Sequence, residues 1–537
     1  MNVRKELQEL ITKVAGGTQA KIERTPRPDF GDYATNVALG LAKVENQKPH
    51  DIAAKLSEKV TAPYIAKVSV AGPGFLNITL DDAWLVAKVK VFAKSASSLV
   101  KSTEHKGKHV HLEFISANPT GPLTLANARG GFLGDVLGNV LQRTGYKVYR
   151  EYYVNDRGNQ VSVLAESVLR RYFQQQGITI DYPETCYQGV YIDELARKLK
   201  LPNYKMTDVA KLNDIRDKIK DKVVAIMLKE LQRVVAKSMS ITFDNWLSEK
   251  ALVATGIVEK LLATFKAKGL IFEKDGATWL ATTKFGDDKD RVLIKKDGEM
   301  TYFPPDIANH YLKFTKHKAD VAINILGADH HGYIGRMAAA IAGMGIDPKK
   351  FQPIIIQFVR LIRDGQEVKM SKRRGTYVEA EEIVQEVGLD AARFFFLMYD
   401  VNSHMDFNLD VAKERSEKNP VYYVQYAHAR ICSILAKVKA LPAAKLKPGA
   451  LHPSARKLIL ELLRWPEVLE DVSRDYGAQR IPQYALDLAR TFHDFYTQVR
   501  VIDNDRVQPL PLTLTRATKN VLEDVLETLG ITAPVKM

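Results

Sequence analysis

The chain has 537 residues, 46% of them hydrophobic, and a formal net charge of +15. This length exceeds what one core holds, so three or four domains are expected. The positive balance points to a polyanion partner, nucleic acid first, with general solubility charge as the alternative.

No apolar run reaches membrane-spanning length, and the charged N-terminus (Met1-Asn2-Val3-Arg4-Lys5-Glu6) lacks a secretory apolar core. Cys186 and Cys432 are the only cysteines, far apart in sequence. That excludes a disulfide framework and a zinc ribbon, and suits a reducing cytoplasm.

Residues 1–95 read as a small α+β domain. An amphipathic helix opens it, with Leu7, Leu10, Ile11 and Val14 on one face. Short strands are expected near 67–71 and 75–80, broken by Gly72-Pro73-Gly74. A polar stretch near 94–108 reads as a linker. Residues 109–115 then suit a strand, 116–124 a loop rich in Asn, Pro, Thr and Gly, 125–143 a helix and 147–154 a second strand. This is a βαβ unit opening a doubly wound parallel sheet, placed within 106–400 with a helical and hairpin insertion at about 160–300. Asp275-Gly276 and Asp297-Gly298 mark hairpins. Strands return at 320–327 and 353–359. A helical region covers about 405–537, divided at Leu441-Pro442 and Lys447-Pro448.

Two stretches carry chemistry. Lys369-Met370-Ser371-Lys372-Arg373, with Gly375 just after, places three cations around a small hydroxyl residue. Such a loop can close over a triphosphate and neutralise departing pyrophosphate; the plain alternative is a solvated basic loop. Far upstream, the loop Ser116-Ala117-Asn118-Pro119-Thr120-Gly121-Pro122-Leu123-Thr124 leads from a strand into a helix N-terminus. Backbone N–H groups there lack helical partners, and the helix dipole favours phosphate. Gly130, Gly134 and Gly138 share one face of that helix, for close contact with the sheet or by accident. No phosphate-loop NTPase motif occurs.

In these motifs the chain resembles the arginyl-tRNA synthetases, class I enzymes that bracket ATP between a HIGH motif and a KMSKR loop. The resemblance runs nearly end to end. It rests on Pro28-Asp29-Phe30-Gly31-Asp32-Tyr33, Glu113-Phe114-Ile115-Ser116-Ala117-Asn118-Pro119-Thr120-Gly121-Pro122-Leu123, and Tyr152-Tyr153-Val154-Asn155-Asp156-Arg157-Gly158-Asn159-Gln160. It continues through Phe285-Gly286-Asp287-Asp288-Lys289-Asp290-Arg291, Tyr302-Phe303 with Asp306-Ile307-Ala308, Gly327-Ala328-Asp329-His330-His331-Gly332-Tyr333 and KMSKR. It implies a Rossmann-like catalytic domain, an N-terminal α+β module for the outer corner of tRNA and a C-terminal all-α anticodon-binding bundle. The substrates implied are L-arginine, ATP with Mg²⁺ and tRNA(Arg), in a cytoplasmic monomer. Arginine activation should itself require bound tRNA.

The resemblance assigns ATP to Pro122, Leu123, Thr124, Ala126, Asn127, Gly327, Asp329, His330 and the KMSKR residues Lys369, Met370, Ser371 and Lys372. Arginine falls to Glu113, Ser116, Asn118, Tyr302, Asp306, Glu249 and His330. Asp306 can accept a bidentate hydrogen bond from a guanidinium, with Tyr302 four residues earlier on the same helical side. From the residues alone, Asp306 reads first as a helix cap after Pro304-Pro305, and it is the resemblance that turns it toward arginine. Phe30, Tyr422 and Tyr426 are candidates for stacking on tRNA bases, with core packing as the alternative for the tyrosines. His330-His331 have no spaced third ligand, so no metal site is read.

One departure stands out. Where the family shows His-x-Gly-His, this chain has Thr124-Leu125-Ala126-Asn127. A Thr hydroxyl and an Asn amide can still donate to phosphate, without a titrating charge. Ala126 adds a methyl where adenine rests on bare backbone. The site is read as altered and working, with Thr124, Asn127, Lys369 and Lys372 carrying the chemistry. The alternatives are a catalytically impaired tRNA-binding protein and a synthetase for another cationic amino acid, lysine.

Overall fold

The computed structural model describes residues 2–95, 102, 104–368, 378–438, 451–503 and 506–537. KMSKR, Gly375 and the two proline breaks near 442 and 448 lie outside them. The chain forms two compact units: the residues up to Glu104 together with Arg415–Met537, and His105–Glu414.

In the first unit, an antiparallel sheet carries the strands Ile22–Arg24, Tyr33–Thr35, Phe75–Leu80 and Ile65–Ala71 in that order. The opening helix Val3–Val14 buries Val3, Leu7 and Ile11, while Leu10 and Val14 stay half-buried, because the stripe repeats every four residues. The other end of the chain supplies the long helices Pro420–Ala436, Pro453–Asp475, Arg480–Gln498 and Pro509–Leu529. Buried Trp465 stacks on Tyr484 at 5.1 Å and donates to Asp524 at 2.7 Å. Glu467, 2% exposed, joins the two ends of the chain: it accepts from Arg24 at 2.8 Å and from the Tyr33 hydroxyl at 2.7 Å. A buried carboxylate persists when it is paired in this way.

The second unit is built on a five-stranded parallel sheet. Its spatial order is Phe351–Ile356, Val321–Gly327, His109–Glu113, Lys147–Val154, Asn245–Ser248. Numbered along the chain this is 5-4-1-2-3, the doubly wound order, with its reversal between the His109 and Val321 strands. The helix Leu125–Arg143 crosses over between the first two strands, and most of its residues are buried. Its glycine face is a requirement of packing. A Cβ on Gly134 would fall 2.3 Å from Phe114 Cγ, and one on Gly138 2.6 Å from the Arg150 guanidinium.

Helices Asn159–Gln175, Val190–Lys198 and Leu212–Arg233 are inserted before the fifth sheet partner, Asn245–Ser248. The Asp-Gly turns close hairpins as expected: Asp275-Gly276 joins Ile271–Lys274 to Ala277–Leu280, both turn residues having positive φ. One difference concerns residues 405–414. Expected to open the helical region, they form a strand, Met405–Asn408, parallel to Val359–Arg363, and a short helix within the second unit. The alternation Met405, Phe407 buried and Asp406 exposed favours an extended chain there.

Candidate active site

The Glu113 strand ends in a forced turn. Ile115 and Ser116 both have positive φ, 65° and 40°, and Ser116 N–H donates back to the Phe114 carbonyl at 2.9 Å. A β-branched residue in this region is strained, and such strain gathers at functional sites. The surroundings hold it in place. Tyr152 OH donates to the Ala117 carbonyl at 2.9 Å and accepts from Ala117 N–H at 3.1 Å. Ser116 Oγ accepts from Tyr153 N–H at 3.0 Å.

The turn delivers the loop to a cleft of about 500 Å³ at the reversal of strand order. Open parallel sheets bind their ligands at this position. Ser116, Asn118, Pro122, Thr124, Ala126 and Asn127 line one side, and Gly327, Asp329 and His330, which follow the Val321 strand, line the other. Leu123 does not line it. Its side chain is 1% exposed and anchors the loop in the core, while its carbonyl accepts from Ala380 N–H at 2.8 Å.

Thr124 is the N-cap of the Leu125–Arg143 helix. Asn127 Oδ1 accepts from both the Thr124 N–H and the Thr124 hydroxyl, each at 2.9 Å. The Asn127 side chain thereby replaces two of the interactions a phosphate could make, and its amide N–H₂ is the donor turned away from them. Asp329 Oδ1 lies 2.9 Å from His330 Nδ1, and both residues are exposed.

Four cleft residues were not singled out from the sequence. Gln160 accepts from Asn118 Nδ2 at 2.6 Å, and Tyr187, Gln188 and Tyr191 come from the helical insertion. Tyr191 OH donates to the Thr120 carbonyl at 3.0 Å. Only folding brings the insertion over the loop, although the Asn159-Gln160 motif was a signal for Gln160.

Of the residues expected to hold arginine, Ser116, Asn118 and His330 line this cleft, and Tyr302, Asp306 and Glu249 belong to a second cluster, rich in carboxylates and tyrosines. Tyr302 is the N-cap of the helix Phe303–Thr315, and Asp306 lies in its first turn. Asp306 does not act as the cap. Its carboxylate is 3.4 Å from His310 Nδ1. Burial, then the charges of Asp306 and Glu113, holds the adjoining Tyr333 phenol well above its ordinary range. Glu249, 6% exposed, accepts from Tyr153 OH at 3.0 Å, and burial raises its carboxyl group despite that bond. Tyr302 is 55% exposed and binds a guanidinium already present in the chain, that of Arg336, which also lies over the Tyr333 ring.

Glu113 differs from expectation. It does end the first strand, but it does not line the cleft: it is 7% exposed and accepts from Lys313 and Asn309. Burial raises its carboxyl group, but the Lys313 charge, the nearby His310 and the Lys313 hydrogen bond together leave it below the ordinary value. A buried carboxylate takes the nearest cation, and Lys313 is 0% exposed.

On the first unit, Phe30 is 42% and Tyr426 44% exposed, and Tyr422 is half-buried. The rings of Tyr422 and Tyr426 lie nearly parallel, with centroids 6.4 Å apart. Neighbouring Val421 and Val424 carry the core packing of that helix.

The sheet order, the cleft at its reversal and the helix end that faces it suit a class I aminoacyl-tRNA synthetase, and the comparison with known families places the chain there. Residues 89–406 match the family described as tRNA synthetases class I (R), catalytic domain. Residues 1–80 match the arginyl tRNA synthetase N terminal domain, and 424–537 the DALR anticodon binding domain. The arginine–tRNA ligase 1 of Halalkalibacterium halodurans is 41% identical over 534 residues, spanning 96% of this chain and 94% of that protein. The arginine–tRNA ligase of Moorella thermoacetica is 40% identical over 528 residues, spanning 96% and 93%. The Thermus thermophilus arginyl-tRNA synthetase structure shares the fold, with a TM-score of 0.79 at 21% identity over all of both chains. This chain belongs to the arginyl-tRNA synthetase family.

Proposed function

We propose that the chain works as an arginine–tRNA ligase through the cleft at residues 116–127 and the Asp306–Glu249 cluster. The observation that carries this reading is the opening of the Thr124 helix end onto a cleft at the sheet's reversal point. ATP would enter as its Mg²⁺ complex, the ion supplying charge to the phosphates with no dedicated protein site. Its phosphates meet the helix N-terminus and the Asn127 amide, and the Thr124 hydroxyl once that turns from Asn127 Oδ1. Lys369 and Lys372 of the KMSKR run supply charge that neutralises the departing pyrophosphate.

The arginine guanidinium pairs with Asp306 and packs on Tyr302, displacing Arg336, with Glu249 beside it. Its carboxylate attacks the α-phosphorus, forming arginyl-adenylate and releasing pyrophosphate. The terminal ribose hydroxyl of tRNA then attacks the adenylate carbonyl and AMP leaves. No side chain acts as nucleophile, so rate enhancement comes from positioning and from charge stabilisation. Phe30, Tyr422 and Tyr426 are available to stack on tRNA bases. The reading includes a monomer in a reducing cytoplasm, in keeping with two free cysteines. Among the described residues, no helix is long and apolar enough to cross a membrane.

The test is ATP–pyrophosphate exchange driven by arginine, with and without tRNA, and lysine run beside arginine. Exchange that needs both arginine and tRNA is expected. No exchange under any condition would instead mark a tRNA-binding protein that has lost catalysis.

A further inference from the structure

At the other end of the parallel sheet, near where its strands begin, three metal-type donors converge. His111 is in the central strand, Glu151 in the adjacent one, and His317 just beyond the C-terminal end of the Phe303–Thr315 helix. One donor atom from each lies within 4.8 Å of the others. The register explains the first two. His111 pairs with Tyr149 and Glu113 with Glu151, so His111 and Glu151 share one face of the sheet. His317 is fixed by the chain turning off the helix: its N–H donates to the Leu312 carbonyl at 3.0 Å, and Asp320 N–H donates to the His109 carbonyl at 2.8 Å. The His317 ring then packs on Tyr149 at 4.5 Å and edge-on to His111 at 5.4 Å.

The polar balance at this spot is incomplete. His111 and Glu151 are each 1% exposed. Neither ring nitrogen of His111 has a hydrogen-bond partner, nor does Glu151 Oε1; the His111 Nε2–Glu151 Oε1 approach of 3.4 Å lacks hydrogen-bond alignment. Buried polar atoms are nearly always satisfied, and unpaired ones ask for a missing ligand. The other Glu151 oxygen accepts from Asn245 Nδ2 at 2.9 Å, the kind of outer bond that orients a ligating carboxylate. A cavity of about 410 Å³, lined by His111, His317 and Tyr149, gives access. The cations nearby do not close the site. Lys313 is taken by Glu113 and Asn324, and Lys147, Lys316 and Lys318 are exposed at the cavity rim.

We propose that His111, Glu151 and His317 bind a divalent cation of the zinc class, which ties two strands to the end of the Phe303–Thr315 helix. Two imidazoles and one carboxylate, with a fourth position open to the cavity, suit tetrahedral Zn²⁺ and not Mg²⁺, which demands oxygen ligands. The negative C-terminal end of the helix adds favourable charge.

Full-length protein, stripped with chelator and dialysed, is titrated with Zn²⁺ by calorimetry and with Co²⁺ by visible absorption. One equivalent of each is expected, Co²⁺ with the intense bands of tetrahedral coordination, and Mg²⁺ should not compete. His317→Gln changes a half-buried residue and should melt like the stripped wild type, yet bind Zn²⁺ at least tenfold more weakly. Asn245→Ala, which removes only the orienting bond, should weaken binding about 10–100-fold. Zn²⁺ should raise the melting temperature of the wild type and not of His317→Gln. No stoichiometric uptake by the wild type, or full uptake by a folded His317→Gln, overturns the proposal.

Discussion

Among the described residues Asp306 is held between His310 and Tyr333 without a lysine or arginine partner, whereas Glu113 has its own lysine. On the proposed reading Asp306 takes the arginine guanidinium with Glu249 beside it, while Glu113 is held by Lys313. Asp306→Asn should weaken arginine binding by about 3–5 kcal/mol, the scale for removing one partner of a buried charge pair. The measurement is the arginine KM in pyrophosphate exchange, and an unaltered KM removes Asp306 from the role. Lys372→Ala should lower activation by about 10²–10³-fold, as for loss of one donor to transition-state charge. A rate equal to wild type in single-turnover adenylate formation would contradict that. The Tyr302 and Asp306 spacing was legible in the sequence because a helix fixes which residues share a side. The Lys313 partner of Glu113 was not, since 200 residues separate them.

Elements tell a similar story. The Leu125–Arg143 helix and the Lys147–Val154 strand fall where hydrophobic spacing and turn residues place them. The glycine face of that helix was ambiguous in sequence and is decided by Phe114 and Arg150 lying against it. Gly134→Ala should therefore destabilise the protein by about 1–3 kcal/mol through overpacking. Denaturant unfolding checks this, and a neutral result would mean Phe114 has room to turn aside.

The helix Ala380–Val387 carries a second prediction. Glu379, its N-cap, meets Thr124 in a short backbone bridge, and burial, then Glu382 and Glu381, pushes its carboxyl up to about 7. A folded value above the ordinary one means that stability is lost as pH rises through the window from about 4.5 to 7. Glu379→Gln should thus raise the melting temperature relative to wild type at pH 8 and change it little at pH 4.5. Equal differences at both pH values would show that Glu379 is not the titrating group.

For the whole molecule, the +15 charge is the feature most directly tied to a polyanionic substrate. If phosphate contacts dominate, tRNA affinity should fall by about 10³-fold or more between roughly 50 and 200 mM salt. Filter binding across that range checks it, and a shallow slope would assign recognition to base stacking. The amino-acid sequence by itself determined the βαβ opening, the helix that begins at the cleft, the altered Thr124–Asn127 tip and the family, because each is written in contiguous residues. Folding alone decided that both ends of the chain share a unit through Glu467, that Tyr187, Gln188 and Tyr191 reach the cleft, and that His111, Glu151 and His317 meet. Such meetings depend on strand order and register, which bring together side chains whose separation along the chain carries no local signal.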